Sequence, residues 1–533
     1  MQSKLLRGTF ILTLGTLLSK VLGLLYVIPF YHIVGDEGQS LYAYAYVPYT
    51  IFLSLATTGI PSAVAKYIAK YNALEEYAVG RKLFKSSIWV MSCTGLITFL
   101  SLYFLAPYIA QSSTSGDVES VVTVLRAVSF ALLIVPIMSV IRGFFQGHQS
   151  MGPSAISQVV EQIVRIVFLL SGAFIVIKFF NGTITEAVSV ATFAAFIGAI
   201  GGLVVLLYFW KKRKNNLDEL LEKDKKTMDV PLKDMYKEIV IYAAPFVFIG
   251  LNSSLFQLVD QFTVNKTLMG IGYTASEATT AYAVLSMQTH KLVIIPVTLA
   301  MAFSTALIPA ITDAFTKKNR AKLHGQLDQT FQTVLYLTLP AALGISLLAE
   351  PVFTLFYEYK EIGTEVLQVY APVAILFALF LVTSAILQGI NQQRFTVISL
   401  IVGLVCKMGL NVVLLKAFGI TGAVYATAIG YFAAIAINLV VIRKYANYSF
   451  KLPIKRGLLI LIFNLVMLIF AGGVYKLLTL FLSPTQKVDS IVLIIITAII
   501  GAFVYASLSF KSKLIYALFG EKVNGLLKKL RLK

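Results

Sequence analysis

Cysteine is almost missing from this chain. The two present, Cys93 and Cys406, each sit inside an apolar run, so they form neither a disulfide framework nor a thiolate metal site. Charge is scarce as well: 13% of the residues are Asp, Glu, Lys or Arg, against about a quarter in soluble proteins. Acids are the scarcer sign, 25 against 45 basic residues, for a net charge of +20. The four histidines, His32, His148, His290 and His324, are scattered. Glycine-rich phosphate loops, metal-ligand clusters and nucleophile–base pairs are absent, so no enzyme signature remains. In a soluble chain the basic excess would point to nucleic acid. Here it falls in alternate loops between apolar runs, which is an orientation signal.

Apolar sequence is what the chain has in abundance. Its 533 residues are 58% hydrophobic, with a mean hydropathy of +0.82. Runs of about 20 apolar residues recur along the whole length, each long enough to span a bilayer as a helix. They predict an all-α polytopic membrane protein with fourteen spans: 9–34, 41–68, 83–108, 122–147, 154–178, 184–210, 238–265, 279–312, 329–357, 365–388, 395–416, 420–442, 456–480 and 489–509. The first run follows Lys4 and Arg7 and continues to Phe30 without a small-residue cleavage site, so it reads as a span rather than a signal peptide. Basic clusters follow the even-numbered spans, for example Arg81-Lys82, Lys211 to Lys214, Lys317-Lys318 and Arg443-Lys444. Loops on the other side carry Asp36-Glu37, Asp117 and Glu119, and Glu358 to Glu365. This asymmetry places both termini in the cytoplasm.

The chain repeats itself. Gln146-Gly147 returns as Gln388-Gly389, Ile156-Ser157 as Ile398-Ser399 and Arg165 as Lys407, each 242 positions later. Ala43-Tyr44-Ala45 returns as Ala281-Tyr282-Ala283, and Gly80 as Gly325. A period near half the chain suits a duplicated transporter bundle. The expected organisation is a six-helix half over 1–210, a charged linker over 211–237, a second six-helix half over 238–445, spans thirteen and fourteen over 446–510 without partners in the repeat, and a basic tail over 511–533. In that tail Leu526, Leu527 and Leu530 either face lipid from a surface helix or belong to a plain stop-transfer segment.

The informative residues are ionisable groups inside spans, where a central charge costs at least about 2.5–3.5 kcal/mol and normally faces a polar cavity or a partner. Lys20, Glu161, Arg165, Asp260, Lys291 and Lys407 qualify, with His290 beside Lys291. Lys20 and Lys291 belong to different halves; meeting at their interface, they would make an anion site near the midplane. The plainer reading of Lys20 is snorkelling, but it sits sixteen residues after Lys4, roughly 24 Å along a helix. Glu161 and Arg165 are four apart and can pair on one face, as structural neutralisation. Lys407 has Gly403 where Glu161 would be and is the less compensated echo. Asp260 follows Asn252, Ser253, Ser254 and Gln257 on span seven; it either lines the cavity, binds a monovalent cation or holds Lys291. Arg142 is expected as an interface anchor.

Two six-span halves, the central linker, the Arg142–Gly147 turn with its echo, and the Ser19-Lys20-Val21-Leu22-Gly23 segment resemble the multidrug/oligosaccharidyl-lipid/polysaccharide exporter superfamily. Within it the chain resembles the stage V sporulation protein B and MurJ-type lipid II flippases. The resemblance implies a V-shaped bundle working by alternating access, in the bacterial plasma membrane. It implies a cationic cavity for the diphosphate and sugar of an undecaprenyl-linked precursor, and a groove for the lipid tail from spans thirteen and fourteen. In MurJ-type proteins arginines of spans one and eight are functional; Lys20 and Lys291 stand at the matching positions, keeping the charge but not the bidentate fork. The family's span-two arginine falls at Phe52. The expected function is therefore a flippase for a lipid-linked cell-wall precursor, lipid II first. Membrane lipids and the cell-wall synthesis machinery are the candidate partners. No cofactor is implied beyond coupling to a monovalent cation or to the membrane potential. A flippase for another polyprenyl-linked glycan is the nearest rival. A drug/cation antiporter wants an acidic cavity, and four of the six buried charges are cations. A scaffold without transport predicts no effect of neutralising them. A membrane glycosyltransferase needs a long outer loop, and none is long enough.

Overall fold

The structure is a computed structural model that describes residues 14–519, apart from 17, 20, 24, 25, 115, 116, 226, 228 and 229. Among the described residues every regular element is a helix. The first compact unit, Met1–Ala283, holds α1 (Val27–Thr57), α2 (Ile60–Ala73), α3 (Tyr77–Ser113), α4 (Val118–Ser129), α5 (Ala131–Gly147), α6 (Met151–Lys178), α7 (Ile184–Glu222), α8 (Leu232–Gly270) and α9 (Ala275–Ala283). The second, Val284–Lys533, begins with a π-helical turn, Val284–Thr289. It continues with α10 (His290–Thr316), α11 (Arg320–Leu347), α12 (Ala349–Phe356), α13 (Glu361–Tyr370), α14 (Val373–Gly389), α15 (Gln393–Phe418), α16 (Thr421–Ala446), α17 (Lys451–Leu478), α18 (Lys487–Lys511) and α19 (Leu514–Phe519).

Eleven of the described helical stretches are long and apolar enough to cross a membrane. The first, Leu14–Ala73, covers two of the predicted spans, and predicted spans seven and eight fall on α8 and on the run from α9 to α10. The fold is that of an all-α polytopic membrane protein. Its outward side chains agree: Trp89, Phe104 and Phe503 are 71%, 66% and 72% exposed. Such exposure is costly in water and neutral against lipid tails.

Several predicted spans are broken helices. Gly35 (φ 65°) breaks α1 into two helical segments at the turn expected between spans one and two, and the chain folds back there: Gln39 Nε2 donates to Val27 O at 3.2 Å, and the Phe30 and Tyr42 rings meet at 5.3 Å. Predicted span four divides into α4 and α5 at Phe130, and predicted span ten into α13 and α14 at Ala371-Pro372. The two breaks occupy equivalent places in the repeat. Asp117 caps α4 by accepting from the Glu119 and Ser120 N–H groups, and Thr183 with Glu186 forms a capping box on α7.

The linker expected over 211–237 is partly helix: α7 carries span six on to Glu222. The chain then docks on the start of α3. Lys225 donates its N–H to Glu75 O at 3.1 Å and its ammonium to the Glu75 carboxylate at 2.7 Å. Asp224 accepts from the Ala78 N–H at 2.8 Å. Division by repeat and division by packing fall at different places, because α8 and α9 open the second repeat yet bond to α1. Ser254 of α8 lies 3.0 Å from the Thr50 hydroxyl, and Gln261 of α8 donates to Tyr44 O at 3.1 Å.

Candidate functional site

Lys20, and with it the expected meeting of Lys20 and Lys291, lies outside the described residues. The other ionisable residues fall into two groups, one in each unit.

In the first unit α1 carries tyrosines at 42, 46 and 49, spaced four and three apart on one face. Arg165 of α6 faces them. It donates from Nη2 to the Tyr42 hydroxyl at 3.1 Å, and its guanidinium stands 5.4 Å from the centre of the Tyr46 ring. Tyr42 and Tyr46 stack at 5.4 Å, and Tyr26 donates to the Tyr42 hydroxyl at 3.1 Å. Cation–π contact and hydroxyls thus support a half-buried cation. The expected Glu161–Arg165 pair is not what forms. Glu161 accepts instead from Arg142 Nη2 at 2.7 Å, while Arg142 Nε donates to Ser157 at 2.8 Å. Arg142, expected as an interface anchor, has only 12% of its side chain exposed and bolts α5 to α6.

In the second unit the same bolt is absent. Ser384 and Gly403 replace Arg142 and Glu161, and a Cβ on Gly403 would come within 2.6 Å of Gly430 O. Gly403 thus sits at a close backbone approach of α15 to α16, as Gly198 does where α7 meets α6 at Glu161. Lys407 of α15 is 1% exposed and donates to Thr427 Oγ1 of α16 at 2.7 Å. His290, the first residue of α10, is buried with Nδ1 2.8 Å from the Tyr370 hydroxyl and its ring 6.2 Å from Phe377. Lys291 is half-buried beside it. Phe377 links His290 to α16: its ring also meets the Tyr431 ring at 4.6 Å, one helical turn from Thr427, the partner of Lys407. His290 of α10, with Lys291 next to it in sequence, and Lys407 of α15 therefore share one neighbourhood beside α16. A π-turn directly precedes it, and such turns are frequent at functional sites.

Asp260 is buried on α8, in the first unit. On the same helix Ser254, Gln261 and Asn265 meet α1; Asn265 donates to the Tyr44 hydroxyl. The residues that sequence reasoning missed are the tyrosines and the π-turn. The i, i+4, i+7 spacing of Tyr42, Tyr46 and Tyr49 was a usable signal. So was the repeat offset, which grows from 238 at Ala43/Ala281 to 245 at Gly80/Gly325 and so requires inserted residues between them.

An apolar cavity of about 680 Å³ lies in the second unit, lined by Ile295, Tyr336, Pro340, Met467, Gly501 and Tyr505 among others. Its walls are α10, α11, α17 and α18, so the two helices outside the repeat form one side of it.

The chain matches the family model described as polysaccharide biosynthesis protein over residues 5–315 and the MatE model over 237–413. It is 46% identical to the lipid II flippase MurJ of Bacillus subtilis (strain 168), covering 99% of each chain. It is 25% identical to stage V sporulation protein B of the same organism, over 84% of this chain and 85% of that one. Among solved structures, the lipid II flippase MurJ in an inward closed conformation aligns with a TM-score of 0.68 at 18% identity, covering 95% of this chain and all of the other. A multidrug resistance MATE family transporter in an inward-facing conformation aligns with a TM-score of 0.64 at 15% identity, over 80% of this chain and 94% of that one.

Proposed function

The chain belongs to the MurJ lipid II flippase family, and on that premise we propose that it moves an undecaprenyl-diphosphate-linked cell-wall precursor, lipid II for peptidoglycan synthesis, across the bacterial plasma membrane by alternating access. No bond is made or broken, so it acts as a transporter and not as an enzyme. The observation that carries the reading at the level of residues is the placing of His290, with Lys291 beside it, and Lys407 against one face of α14 and α16, through Phe377, Tyr431 and Thr427.

The physical problem is to take a diphosphate out of water without a prohibitive desolvation cost. Lys291, with Lys20 as its counterpart in the first half, supplies the opposing charge. Lys407, held by Thr427, keeps the field positive from a fixed position. Ammonium–phosphate hydrogen bonds are charge-assisted and strengthen in a site shielded from water. Arg165, held by Tyr42 and Tyr46, is the candidate substrate-binding cation of the first unit. The apolar cavity beside α17 and α18 takes part of the hydrocarbon chain, which keeps the tail out of water at about 0.8 kcal/mol for each buried CH₂. Asp260 is the candidate group for a coupling cation.

An inside-negative potential favours both halves of such a cycle, at about 2.3 kcal/mol per charge per 100 mV. It drives the anionic head group outward, and it drives the empty, positively charged site back inward. With both termini in the cytoplasm, as the loop charges suggest, the basic loops face the side where lipid II is made; the wall-synthesis machinery waits on the other. The test is depletion of the protein in cells that have no redundant flippase, followed by addition of an external lipid II-degrading enzyme. Lipid II should become protected. If it stays as accessible as before depletion, the lipid II assignment is wrong.

A further inference from the structure

One face of α11 changes character along its length. Gly325, Asp328 and Gln332 follow one another at three- to four-residue spacing and line a polar recess of about 320 Å³. Tyr336, Pro340 and Gly344 continue the same line and face the apolar cavity. Across from α11, α17 runs the same way, from Arg456 in the polar recess to Met467 and Ala471 in the apolar cavity. The recess is closed by α19: Gln329 Nε2 donates to Leu518 O at 3.0 Å, and Leu514 and Leu518 pack with Tyr336, Phe463 and Tyr505 between the two spaces. From Gln332 to Pro340 is eight residues, about 12 Å of helix. Polar recess and apolar cavity are therefore stacked as the head and chain of one amphiphile are stacked.

Among the described residues lining the recess, Arg456 is the one cation. Its Nη1 donates to Gln332 Oε1 at 2.7 Å, and Gln332 is itself 1% exposed. That bond fixes the guanidinium plane and leaves its other N–H groups for a ligand; planar donors of this kind suit phosphate oxygens. The surrounding helix ends carry Lys451, Lys455, Lys511 and Lys513, so the recess sits at a basic end of the bundle, which attracts anionic lipid headgroups. Asp328 lines the same recess and accepts the Tyr448 hydroxyl at 2.6 Å. A carboxylate there disfavours a bare terminal phosphate. It favours a phosphate ester whose next group donates a hydrogen bond.

We propose that Arg456, oriented by Gln332, binds the phosphate of a membrane lipid whose chain lies toward the α11–α17–α18 cavity, at a site separate from the His290–Lys291–Lys407 cluster. The shared chemistry is a lipid phosphate ester bearing a hydrogen-bond donor, and it has two sources: a glycosyl diphosphate on a polyprenyl chain, or a phosphodiester such as phosphatidylglycerol.

The experiment measures lipid retention by the full-length purified protein in native mass spectrometry. The probes are lipid II, phosphatidylglycerol and inorganic phosphate, each tested alone. Arg456→Gln is expected to lower retention of at least one of the two lipids about tenfold or more, and the lipid affected identifies the source. Arg456→Lys, which keeps the charge without the fork, should retain an intermediate affinity; a merely structural arginine predicts equal loss in both variants. Lys291→Ala should leave the Arg456-dependent component unchanged, so this site and the flippase reading can fail separately. Unaltered retention of both lipids in Arg456→Gln would overturn the proposal. So would inorganic phosphate binding as tightly as either lipid, since that would leave the chain with no role.

Discussion

Tyr44 and Tyr282 stack face to face, ring centres 4.6 Å apart and planes 6° from parallel. They are the same position of the two repeats, each in an Ala-Tyr-Ala triplet. The duplicated sequence thus touches itself where α9 meets α1. Polar bonds surround the stack: Asn265 donates to the Tyr44 hydroxyl, and Gln261 donates to Ser113 Oγ at 2.8 Å.

The first prediction concerns that contact. An aromatic pair is worth about 0.5–1.5 kcal/mol beyond the area it buries. A double-mutant cycle of Tyr44→Leu and Tyr282→Leu, read by unfolding in detergent, should give a coupling energy of about 1 kcal/mol. A coupling indistinguishable from zero would mean that the rings merely fill space.

The Arg142–Glu161 bolt gives the second. Removing one partner leaves the other charge poorly compensated in a half-buried place, at a cost of about 1–3 kcal/mol. The second repeat shows the alternative, with neither charge present. The double variant Arg142→Ser, Glu161→Ala should therefore be more stable than Glu161→Ala alone. A double variant less stable than either single would show that Arg142 acts through something other than Glu161.

How much of this could be read from the sequence depends on range. The apolar runs, the repeat and the basic loops are local or periodic, and they gave the polytopic all-α class directly. The replacement of Glu161 by Gly403 was also visible in the aligned repeat. The partner of Glu161 was not: the four-residue rule pointed to Arg165 on the same helix, whereas Arg142 lies nineteen residues back across a turn. Helix breaks at Phe130 and Ala371 hide inside continuous apolar runs, because apolar composition does not distinguish one bent helix from two. The approach of Lys407 to the His290–Lys291 pair is tertiary, and only the position of Lys407 in the repeat hinted at its importance.

The third prediction is a pH dependence outside the membrane. The Ser120 hydroxyl and N–H, bonding to Asp117, hold its carboxylate below the usual aspartate range. A folded-state pKa below the unfolded one contributes stability above the unfolded pKa, near 3.9, and loses it as pH falls through the folded value. Asp117→Ala should cost about 0.5–2 kcal/mol at neutral pH as a lost cap. The gap between the two proteins in melting temperature should close as pH falls below about 4. A gap that persists unchanged at pH 3 would remove the carboxylate from the account.

The central claim is that buried cations receive the diphosphate, and its most direct test is flipping by lysine variants at normal abundance. The assay is protection of lipid II from an external degrading enzyme, in cells where this chain is the sole flippase. The variants are Lys20→Ala, Lys291→Ala and the corresponding arginines. The account predicts that each alanine abolishes flipping while protein level is unchanged, and that arginine retains it because charge and phosphate geometry are preserved. Wild-type exposure of lipid II by the Lys20→Ala, Lys291→Ala double variant would contradict it.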